Sequence, residues 1–309
     1  MTDLPTLSAI ICTVNRPGTI GAAVESVLGN RHEDFEVLVV DQSRDDATEK
    51  ALGRFKGDPR FRYLRITRVG LSAAYNLAVK RAAAPILAFT DDDCVAPPHW
   101  LSAVESAFQR HPDVELLYGE TRAAPELRGE PGVLPSTRIA REEKLGRGYR
   151  YEIGHMGANF AVRRSLVERI GGFDEALGGG GPLCSSQDFD FLYRTYKAGA
   201  VCLLDPKVWV DHHGIRAPSE WPATLRAYGI GDGAFYLKHV RCRDAGALWL
   251  LLSRIARLTV REIRNAVLRR PVQWTYLRSY FTGMRMSLQY QVDRETRMYR
   301  LAESHGQGR

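Results

Sequence analysis

The residues with the clearest chemical potential are three consecutive aspartates, Asp91–Asp93, which follow an apolar stretch. That stretch, Ile86–Thr90, has the length and residue types of a buried strand, and Pro97-Pro98 prevents its continuation. Adjacent carboxylates repel one another, and burying one without a partner is costly. A hard divalent cation such as Mg²⁺ or Mn²⁺ would relieve this repulsion, because carboxylate oxygens are its preferred ligands. The alternative is a solvated acidic loop.

Polar residues also follow two earlier predicted strands. Asn15 and Arg16 come after Leu7–Thr13, and Asp41 comes after Phe35–Val40. Because parallel strands end at one edge of a sheet, where ligands bind, we expect these residues to lie near the aspartates. Asp41 could accept hydrogen bonds from a base or ribose, and Arg16 could bind phosphate. Taken alone, an aspartate after a strand is more typical of a helix cap.

The elements that must hold these side chains alternate between strand and helix. A third strand is predicted over Phe61–Ile66, and helices over Thr19–Leu28, Thr48–Phe55 and Leu71–Ala83. This alternation predicts an α/β fold with a mostly parallel sheet between helices. Loop-like residues from 121 to 150 precede a second set of elements at 156–210, and a helical pattern begins at Trp221. We therefore predict divisions at 1–120, 121–220 and 221–309.

Two later stretches contain further candidates. A glycine-rich loop, Leu177–Pro182, leads into Ser185-Ser186, which could cap a helix with Asp188 in its first turn. Asp188 could be a capping residue favoured by the helix dipole, or a general base beside a mobile loop. His212 and His213 end an apolar strand. They could be surface residues, or one imidazole could be a further metal ligand.

The composition is that of an ordinary globular protein, with 44% hydrophobic and 26% charged residues. Five cysteines form no CxxC pair, which predicts reduced thiols and a cytoplasmic location rather than a disulfide framework or zinc site. We expect no signal peptide, because the first residues lack a basic region, and no membrane span, because no run of 18 apolar residues occurs.

Positive charge is concentrated at the C-terminal end. From Arg241 onward there are 14 arginines, no lysine and five acidic residues, which give this part a net charge of +9. Because the whole chain has a net charge of +7, the first 240 residues carry −2. At 100° per residue, four arginines lie on one side of a predicted helix and six apolar residues on the other. The arginines are Arg254, Arg257, Arg261 and Arg264, and the apolar residues are Leu248, Leu251, Leu252, Ile255, Leu258 and Ile263.

Such a helix could bind an anionic membrane surface, or its apolar side could pack on the rest of the protein. We expect no nucleic-acid binding, because no recognition motif accompanies the charge.

Several short motifs occur in an order that resembles family 2 glycosyltransferases, inverting enzymes of the GT-A (Rossmann-like) fold that use nucleotide-diphosphate sugars. They span roughly residues 7–215. The motifs are Thr13-Val-Asn-Arg-Pro, Val39-Val-Asp-Gln-Ser, Gly70-Leu-Ser-Ala-Ala-Tyr-Asn-Leu-Ala, Thr90-Asp-Asp-Asp, Gly157-Ala-Asn-Phe-Ala, Gly172-Phe-Asp-Glu, Gln187-Asp-Phe-Asp and the histidine after Val210-Asp.

The resemblance implies a role for each matching residue. Residues implied to bind the donor nucleotide are Thr13, Asn15, Arg16, Asp41, Asn76 and Asp92. Asp91 and Asp93 match the outer aspartates of the DxD motif, and with His212 they would bind Mn²⁺ or Mg²⁺. Asp188 matches the catalytic aspartate. The implied partners are a nucleotide-diphosphate sugar and a hydroxyl acceptor, glycan or lipid-linked, in cell-surface polysaccharide or glycoconjugate assembly.

Two positions depart from the family pattern. Tyr75 stands where arginine is common, which removes one phosphate contact. Gln187 replaces an acidic neighbour of Asp188, and losing that charge leaves the Asp188 carboxylate less basic.

Other functions of the same fold remain alternatives. A nucleotidyltransferase would need a glycine-rich loop after the first strand, which Cys12–Gly18 lacks. An aspartyl-phosphate phosphatase would need a threonine that is missing after Asp91. A non-catalytic sugar-nucleotide-binding protein would keep Asp91–Asp93 without Asp188, and this chain has both.

Overall fold

The chain divides into two compact units. The computed structural model describes residues 4–127, 129–146, 157–269 and 274–301. The first unit comprises Met1–Phe173 and Phe191–Pro218, and the second comprises Asp174–Asp190 and Ser219–Arg309. Parts of the predicted loop-like segment, Arg128 and residues 147–150, lie outside the described residues. The predicted divisions at 1–120, 121–220 and 221–309 stay predictions.

The elements follow the predicted order of strands and helices. The strands are β1 (Leu7–Thr13), β2 (Phe35–Asp41), β3 (Phe61–Arg65), β4 (Ile86–Asp91), β5 (Cys94–Val95), β6 (Val114–Ala123), β7 (Glu143–Leu145), β8 (Asn159–Arg163), β9 (Val201–His212), β10 (Gln291–Asp293) and β11 (Met298–Arg300). The helices are α1 (Pro17–Leu28), α2 (Ala47–Ala51), α3 (Leu71–Arg81), α4 (Trp100–Arg110), α5 (Arg164–Ile170), α6 (Gln187–Lys197), α7 (Trp221–Arg241), α8 (Ala245–Val267) and α9 (Trp274–Ser287).

The first four strands agree with the prediction to within one residue at each end. The predicted helix Thr48–Phe55 is instead the short helix α2 followed by a 3₁₀ turn, Gly53–Phe55. Gly53 gives the reason, because glycine in a helix interior is about 1 kcal/mol less favourable than alanine.

The central sheet is parallel on one side and mixed on the other, and its order is β3-β2-β1-β4-β8-β6-β9-β5. Strands β1 to β4 pair in parallel, and the register aligns Thr13 with Asp41 and Cys12 with Asp91. Strand β8 is antiparallel to both of its neighbours. This arrangement confirms the predicted mostly parallel α/β fold and brings the polar strand ends to one edge.

A short antiparallel pairing brings the end of β9, which carries His212, to that edge. Strand β5 pairs with the end of β9, and the register places Cys94 opposite His212. Because Asp93 directly precedes β5, this pairing brings Asp93 close to His212, although 119 residues separate them in the chain.

Strands β6, β8 and β9 are joined by the buried Asn159. Its amide nitrogen donates to the carbonyl oxygens of Glu120 and Val208, at 2.8 and 3.2 Å, and its oxygen accepts from the Trp100 indole at 3.0 Å. Gly119 makes this possible, because a Cβ there would collide with the Asn159 amide and the Val208 carbonyl group. The Gly157-Ala-Asn motif is therefore a structural element of the sheet.

The second unit contains the helices that the pattern after Trp221 predicts, followed by an unpredicted hairpin of β10 and β11. Glycines on α7 and α9 let the two backbones approach closely. A Cβ at Gly229 would lie 2.6 Å from the Tyr276 carbonyl oxygen, and Cβ atoms at Gly233 and Gly283 would overlap carbonyl oxygens of the facing helix.

Helix α8 presents an exposed apolar surface that differs from the predicted one. Of the predicted apolar side, Leu251 and Leu258 are buried, whereas Leu248, Leu252 and Ile263 are exposed. Arg254 is half-buried and bonded to a tyrosine of α9 rather than solvated. Within the described ranges, no helix has both the length and the hydrophobicity that crossing a bilayer requires.

Candidate functional site

Four side chains connect the ends of β1 and β4 at the sheet edge. The Thr13 hydroxyl donates to Asp92 at 2.6 Å, and both groups are buried. The Arg16 guanidinium donates to Asp92 at 2.8 Å and to Asp93 at 2.7 Å. The charge repulsion expected among the aspartates is therefore partly offset by Arg16.

Asp91 and Asp93 differ in electrostatic surroundings. Burial, together with the neighbouring charges of Asp93 and Asp92, raises the pKa of Asp91 to about 7. Burial also opposes ionisation of Asp93, but His212 and Arg16 outweigh it and lower the pKa of Asp93 to about 2. Asp93 therefore carries the more stable negative charge of the pair.

The surroundings of Asp93 fit a divalent cation. Asp93 and His212 are 9% and 6% exposed in their side chains, and their Oδ1 and Nε2 atoms are 3.4 Å apart. The Oδ1 atom of Asp93 and the Nδ1 atom of His212 are buried and make no hydrogen bond to any described residue. Buried polar atoms without a hydrogen bond are rare in proteins, and a bound ion is one common explanation.

Gly214 permits this arrangement. A Cβ at Gly214 would overlap the Asp93 carboxylate and lie 3.0 Å from the His212 ring. The thiol of Cys94 also lies within 4.8 Å of the Asp93 and His212 ligand atoms. Burial and the charges of Asp91 and Asp93 raise the pKa of Cys94 well above its usual value, so the thiol stays protonated and is a poor ligand.

The predicted nucleoside-binding residues Asn15 and Asp41 lie at the same edge and have protein partners. Asp41 is fully buried, and its carboxylate accepts from the Ser43 backbone N–H at 2.8 Å and the Tyr63 hydroxyl at 2.7 Å. Asn15 has a φ of 53°, and its backbone N–H donates to the Ser43 hydroxyl at 2.7 Å. These contacts shape the loops between the strands and helices at this edge.

Asn76 and Tyr75, in α3, both make contacts within the first unit. The Asn76 side chain accepts from the backbone N–H of Phe173 and donates to its carbonyl oxygen, at 2.8 and 2.9 Å. Gly172 has a φ of 84° and lies against the Asn76 amide. Tyr75 is 2% exposed and packs edge-on against Phe89. The tyrosine that departs from the family pattern is thus a core residue.

Asp188 belongs to the second unit and lies in the first turn of α6, as the sequence predicts. Its carboxylate is half-buried and accepts from the Phe189 backbone N–H at 2.9 Å. The preceding glycine-rich loop closes on itself, since Gly178 and Leu183 donate backbone hydrogen bonds to Ser185 and Ala176.

A buried ionic cluster beside Asp188 was not predicted from the sequence. The Lys238 ammonium, fully buried, lies 2.6 Å from Asp174 and 2.5 Å from Asp190. His239 is within 2.8 Å of Asp190. The available signal was a Lys-His pair inside an otherwise apolar part of the predicted helix, because a buried lysine requires an acidic partner.

A family model of the sequence, "Glycosyl transferase family 2", matches residues 8–171, more than half of the chain. A validoxylamine A glucosyltransferase of Streptomyces hygroscopicus subsp. jinggangensis is 25% identical over 267 residues, which are 76% of this chain and 61% of that protein. A glucosyl-dolichyl phosphate glucuronosyltransferase of Haloferax volcanii is 21% identical over 179 residues, 56% of this chain and 57% of that protein. The chain thus spans less than two thirds of the length of these relatives.

Solved structures share the fold. The mannosyltransferase PcManGT from Pyrobaculum calidifontis, in complex with GDP-Man and Mn²⁺, superposes with a TM-score of 0.58 at 19% identity, covering 93% of this chain and 81% of that chain. Residues 1–349 of S. aureus TarS, in complex with UDP-GlcNAc, give a TM-score of 0.55 at 17% identity, covering 73% and 66%. These similarities confirm the predicted GT-A fold.

The ordered motifs, the sheet edge that they form and the family match over residues 8–171 agree with one another. We conclude that this chain belongs to glycosyl transferase family 2.

Proposed function

We propose that the chain is a metal-dependent, inverting glycosyltransferase that moves a sugar from a nucleotide-diphosphate sugar to a hydroxyl acceptor. The acceptor class is a glycan or a lipid-linked glycan of the cell surface, and the enzyme acts in the cytoplasm. The observation that carries this proposal is that two buried atoms, Asp93 Oδ1 and His212 Nδ1, make no hydrogen bond to any described residue at the edge where parallel strands end. The GDP-Man and Mn²⁺ bound by a structural neighbour support the same class of donor and ion.

Each step assigns a task to residues of this chain. Asp91, Asp93 and His212 hold the cation, Mn²⁺ or Mg²⁺, which when bound neutralises charge on the departing diphosphate. Thr13, Asn15, Arg16, Asp41, Asn76 and Asp92 form and support the nucleotide-binding loops. Asp188 accepts the proton of the acceptor hydroxyl, and attack from the face opposite the leaving group inverts the anomeric centre.

The test is metal-dependent release of nucleoside diphosphate from a panel of UDP-, GDP- and dTDP-sugars, with water as acceptor. We expect release from at least one donor with Mn²⁺ or Mg²⁺ and none with excess EDTA. Asp188→Asn should lower turnover at least about a hundredfold, because general base catalysis contributes roughly 10²–10⁴-fold. Donor affinity, measured by calorimetry, should change less than about twofold, because Asp188 acts on the acceptor.

Two outcomes would favour the alternatives. Donor binding without turnover in any condition would indicate a non-catalytic sugar-nucleotide-binding protein. Formation of a sugar nucleotide from a nucleoside triphosphate and a sugar phosphate, with pyrophosphate released, would indicate a nucleotidyltransferase. Turnover retained by Asp188→Asn would remove Asp188 as the base.

We also propose that residues 241–300 attach the enzyme reversibly to anionic membranes. The support is an exposed apolar stripe on α8, in which the side chains recur at helical spacing. Its large members are Leu248, Trp249, Leu252, Val260, Ile263 and Val267. Trp249 is 72% exposed and Val267 75% exposed. Three exposed arginines, Arg257, Arg261 and Arg264, lie beside the stripe on the helix. Apolar burial and attraction to anionic lipid together favour such a face at a membrane interface.

Co-sedimentation with liposomes tests the attachment. The wild-type protein should sediment with phosphatidylglycerol-containing vesicles, less so at high salt, and not with neutral phosphatidylcholine vesicles. Trp249→Ser combined with Val260→Ser should abolish sedimentation, whereas Val69→Ser, an exposed valine of the first unit, should have no effect. If the doubly substituted protein sediments with the vesicles as the wild type does, or if the wild type binds neutral vesicles equally well, the proposal is contradicted.

A further inference from the structure

A second buried polar network lies where the chain enters α6, and it centres on Asp232 of α7. The carboxylate of Asp232 accepts from the Ser186 hydroxyl at 2.7 Å and from the Tyr276 hydroxyl of α9. Arg254 of α8 donates to the Tyr276 hydroxyl at 3.2 Å and lies 3.8 Å from Asp232. Side chains of α8 and α9 thus hold Asp232 of α7, which in turn holds Ser186, the residue before α6.

Helix α7 has a glycine where the chain before α6 crosses it. A Cβ at Gly231 would lie 2.7 Å from the backbone carbon and oxygen of Ser185. The Ser185 hydroxyl donates to the Ala227 carbonyl oxygen at 3.1 Å, one helical turn earlier on α7. A glycine inside a helix costs roughly 0.5–1 kcal/mol relative to alanine, so its presence here indicates that the close approach has a use.

The backbone held by this contact is in an unfavourable conformation. Cys184 and Ser186 have φ values of 67° and 68°, in the left-handed region that residues other than glycine rarely adopt. Such conformations persist only where surrounding contacts impose them, and they concentrate at functional sites. The Ser186 carbonyl oxygen accepts the Asp190 N–H at 3.0 Å, so the position of Ser186 determines where α6 begins.

We propose that Asp232 is a positioning residue for Asp188. By holding the Ser186 hydroxyl, Asp232 keeps residues 184–186 in their strained turn and thereby orients the first turn of α6, which carries the Asp188 carboxylate. Tyr276 and Arg254 in turn orient Asp232. This inference rests on the proposed role of Asp188 as general base and extends it to three residues of the C-terminal helices.

Steady-state kinetics of donor hydrolysis test the positioning role. Asp232→Ala should lower kcat by roughly ten- to a hundredfold, the effect expected of a misplaced catalytic group, and leave the donor KM within about twofold. Asp232→Asn should recover most of the loss, because its amide oxygen can still accept from Ser186. A pH profile of kcat should keep its shape in the variants, since Asp188 remains the base.

A matched pair on α9 separates positioning from general loss of stability. Tyr276→Phe removes a hydroxyl that donates to Asp232, and it should lower kcat roughly three- to tenfold, the effect of one hydrogen bond. Tyr280→Phe removes a buried hydroxyl that has no hydrogen-bond partner among the described residues, and it should leave kcat unchanged.

Alkylation of Cys184 by iodoacetamide provides a readout that needs no substrate. Cys184 and Cys242 are both half-buried in the second unit, so Cys242 serves as an internal reference for global opening. The ratio of their alkylation rates should rise in Asp232→Ala and Tyr276→Phe but not in Tyr280→Phe, because only the first two release the turn at residues 184–186.

The outcomes separate this proposal from the proposed function. Wild-type kcat and an unchanged alkylation ratio in Asp232→Ala, beside an inactive Asp188→Asn, would refute the positioning role alone. Turnover retained by Asp188→Asn would refute the base, and the positioning role with it, whatever the alkylation ratio shows.

Discussion

At the scale of single residues, the candidate metal site depends on unequal environments for chemically identical groups. Asp91, Asp92 and Asp93 are consecutive, yet one has a raised pKa, one is held by Thr13 and Arg16, and one has a lowered pKa beside His212. Burial and charged neighbours produce this difference. Of the three, Asp93 combines a stable charge with a buried oxygen that has no hydrogen-bond partner among the described residues.

We therefore predict that Asp93→Ala abolishes Mn²⁺-dependent donor binding, because Asp93 would supply the main negative charge that holds the cation. His212→Ala should weaken binding less, by roughly ten- to a hundredfold, since an imidazole, unlike a carboxylate, offers a cation no negative charge. Calorimetric titration of Mn²⁺ in the presence of the donor measures both effects. Unchanged Mn²⁺ affinity in Asp93→Ala would remove the metal assignment.

A second residue-scale prediction concerns Gly214. Gly214→Ala should weaken Mn²⁺ binding without removing any ligand, because the added methyl group displaces the Asp93 carboxylate. Gly57→Ala is the control, since a Cβ at Gly57 meets no atom within 4 Å. Equal Mn²⁺ affinity in the two variants would show that the Asp93 carboxylate does not need its observed position.

At the scale of elements, α6 and α7 are joined by buried ionised groups rather than by apolar contacts alone. Asp174 and Asp190 share the Lys238 ammonium, and the backbone N–H of Tyr299 also donates to Asp174, at 2.9 Å. A buried ion pair adds little stability compared with a well-packed apolar pair, but loss of one partner leaves a costly unpaired charge. Such a cluster therefore specifies which face of α7 meets α6.

His239, at the edge of this cluster, makes stability depend on pH. Burial lowers its pKa to about 4; the neighbouring Asp190 opposes this shift, while Lys238 and Arg297 add to it. Between pH 6.5 and 4 the unfolded chain binds a proton at this histidine and the folded protein does not. The free energy of unfolding should therefore fall as pH falls, by about 2 kcal/mol from pH 7 to pH 5.

Urea denaturation at pH 7 and pH 5 measures this decrease. His239→Gln, which can still donate to Asp190, should remove most of it, whereas the exposed His99→Gln should leave it in place. An identical decrease in wild type and His239→Gln would assign the pH dependence to other groups.

At the scale of the whole molecule, the C-terminal helices are part of the unit that carries Asp188, not a separate appendage. Residues 174–190 belong with residues 219–309, and the hairpin residue Tyr299 bonds both Asp174 and Ser287. The exposed stripe of α8 and the closely packed glycine face of α7 are thus two surfaces of the same unit.

This arrangement predicts that a chain ending at Val240 loses donor hydrolysis in solution, with no membrane present. Removing α8, α9 and the hairpin exposes the α7 glycine face and deletes Tyr276, Arg254 and Tyr299. Hydrolysis by the purified truncated protein should fall at least about tenfold. The Trp249→Ser, Val260→Ser protein, altered only on the stripe, should keep wild-type hydrolysis. Full activity of the truncated protein would show that these contacts are dispensable.

The parallel half of the sheet could be predicted from local sequence alone. Its four strands, Leu7–Thr13 to Ile86–Asp91, could be predicted to within a residue because each is a short apolar run ended by turn residues, a local signal. The same rule brought Thr13, Asp41 and Asp91 to one edge, since parallel strands end together.

Which of several chemically similar groups pair with one another depends on the folded structure. His212 lies close to Asp93 because β5 pairs with β9. The hydrogen bond from Ser186 to Asp232 depends on Gly231, because a Cβ there would collide with Ser185. On α8 the hydrophobic pattern is compatible with several buried faces, and packing selected the one containing Leu251 and Leu258. The physical reason is that local sequence sets which conformation a segment prefers, whereas burial and electrostatic pairing depend on residues far away in the chain.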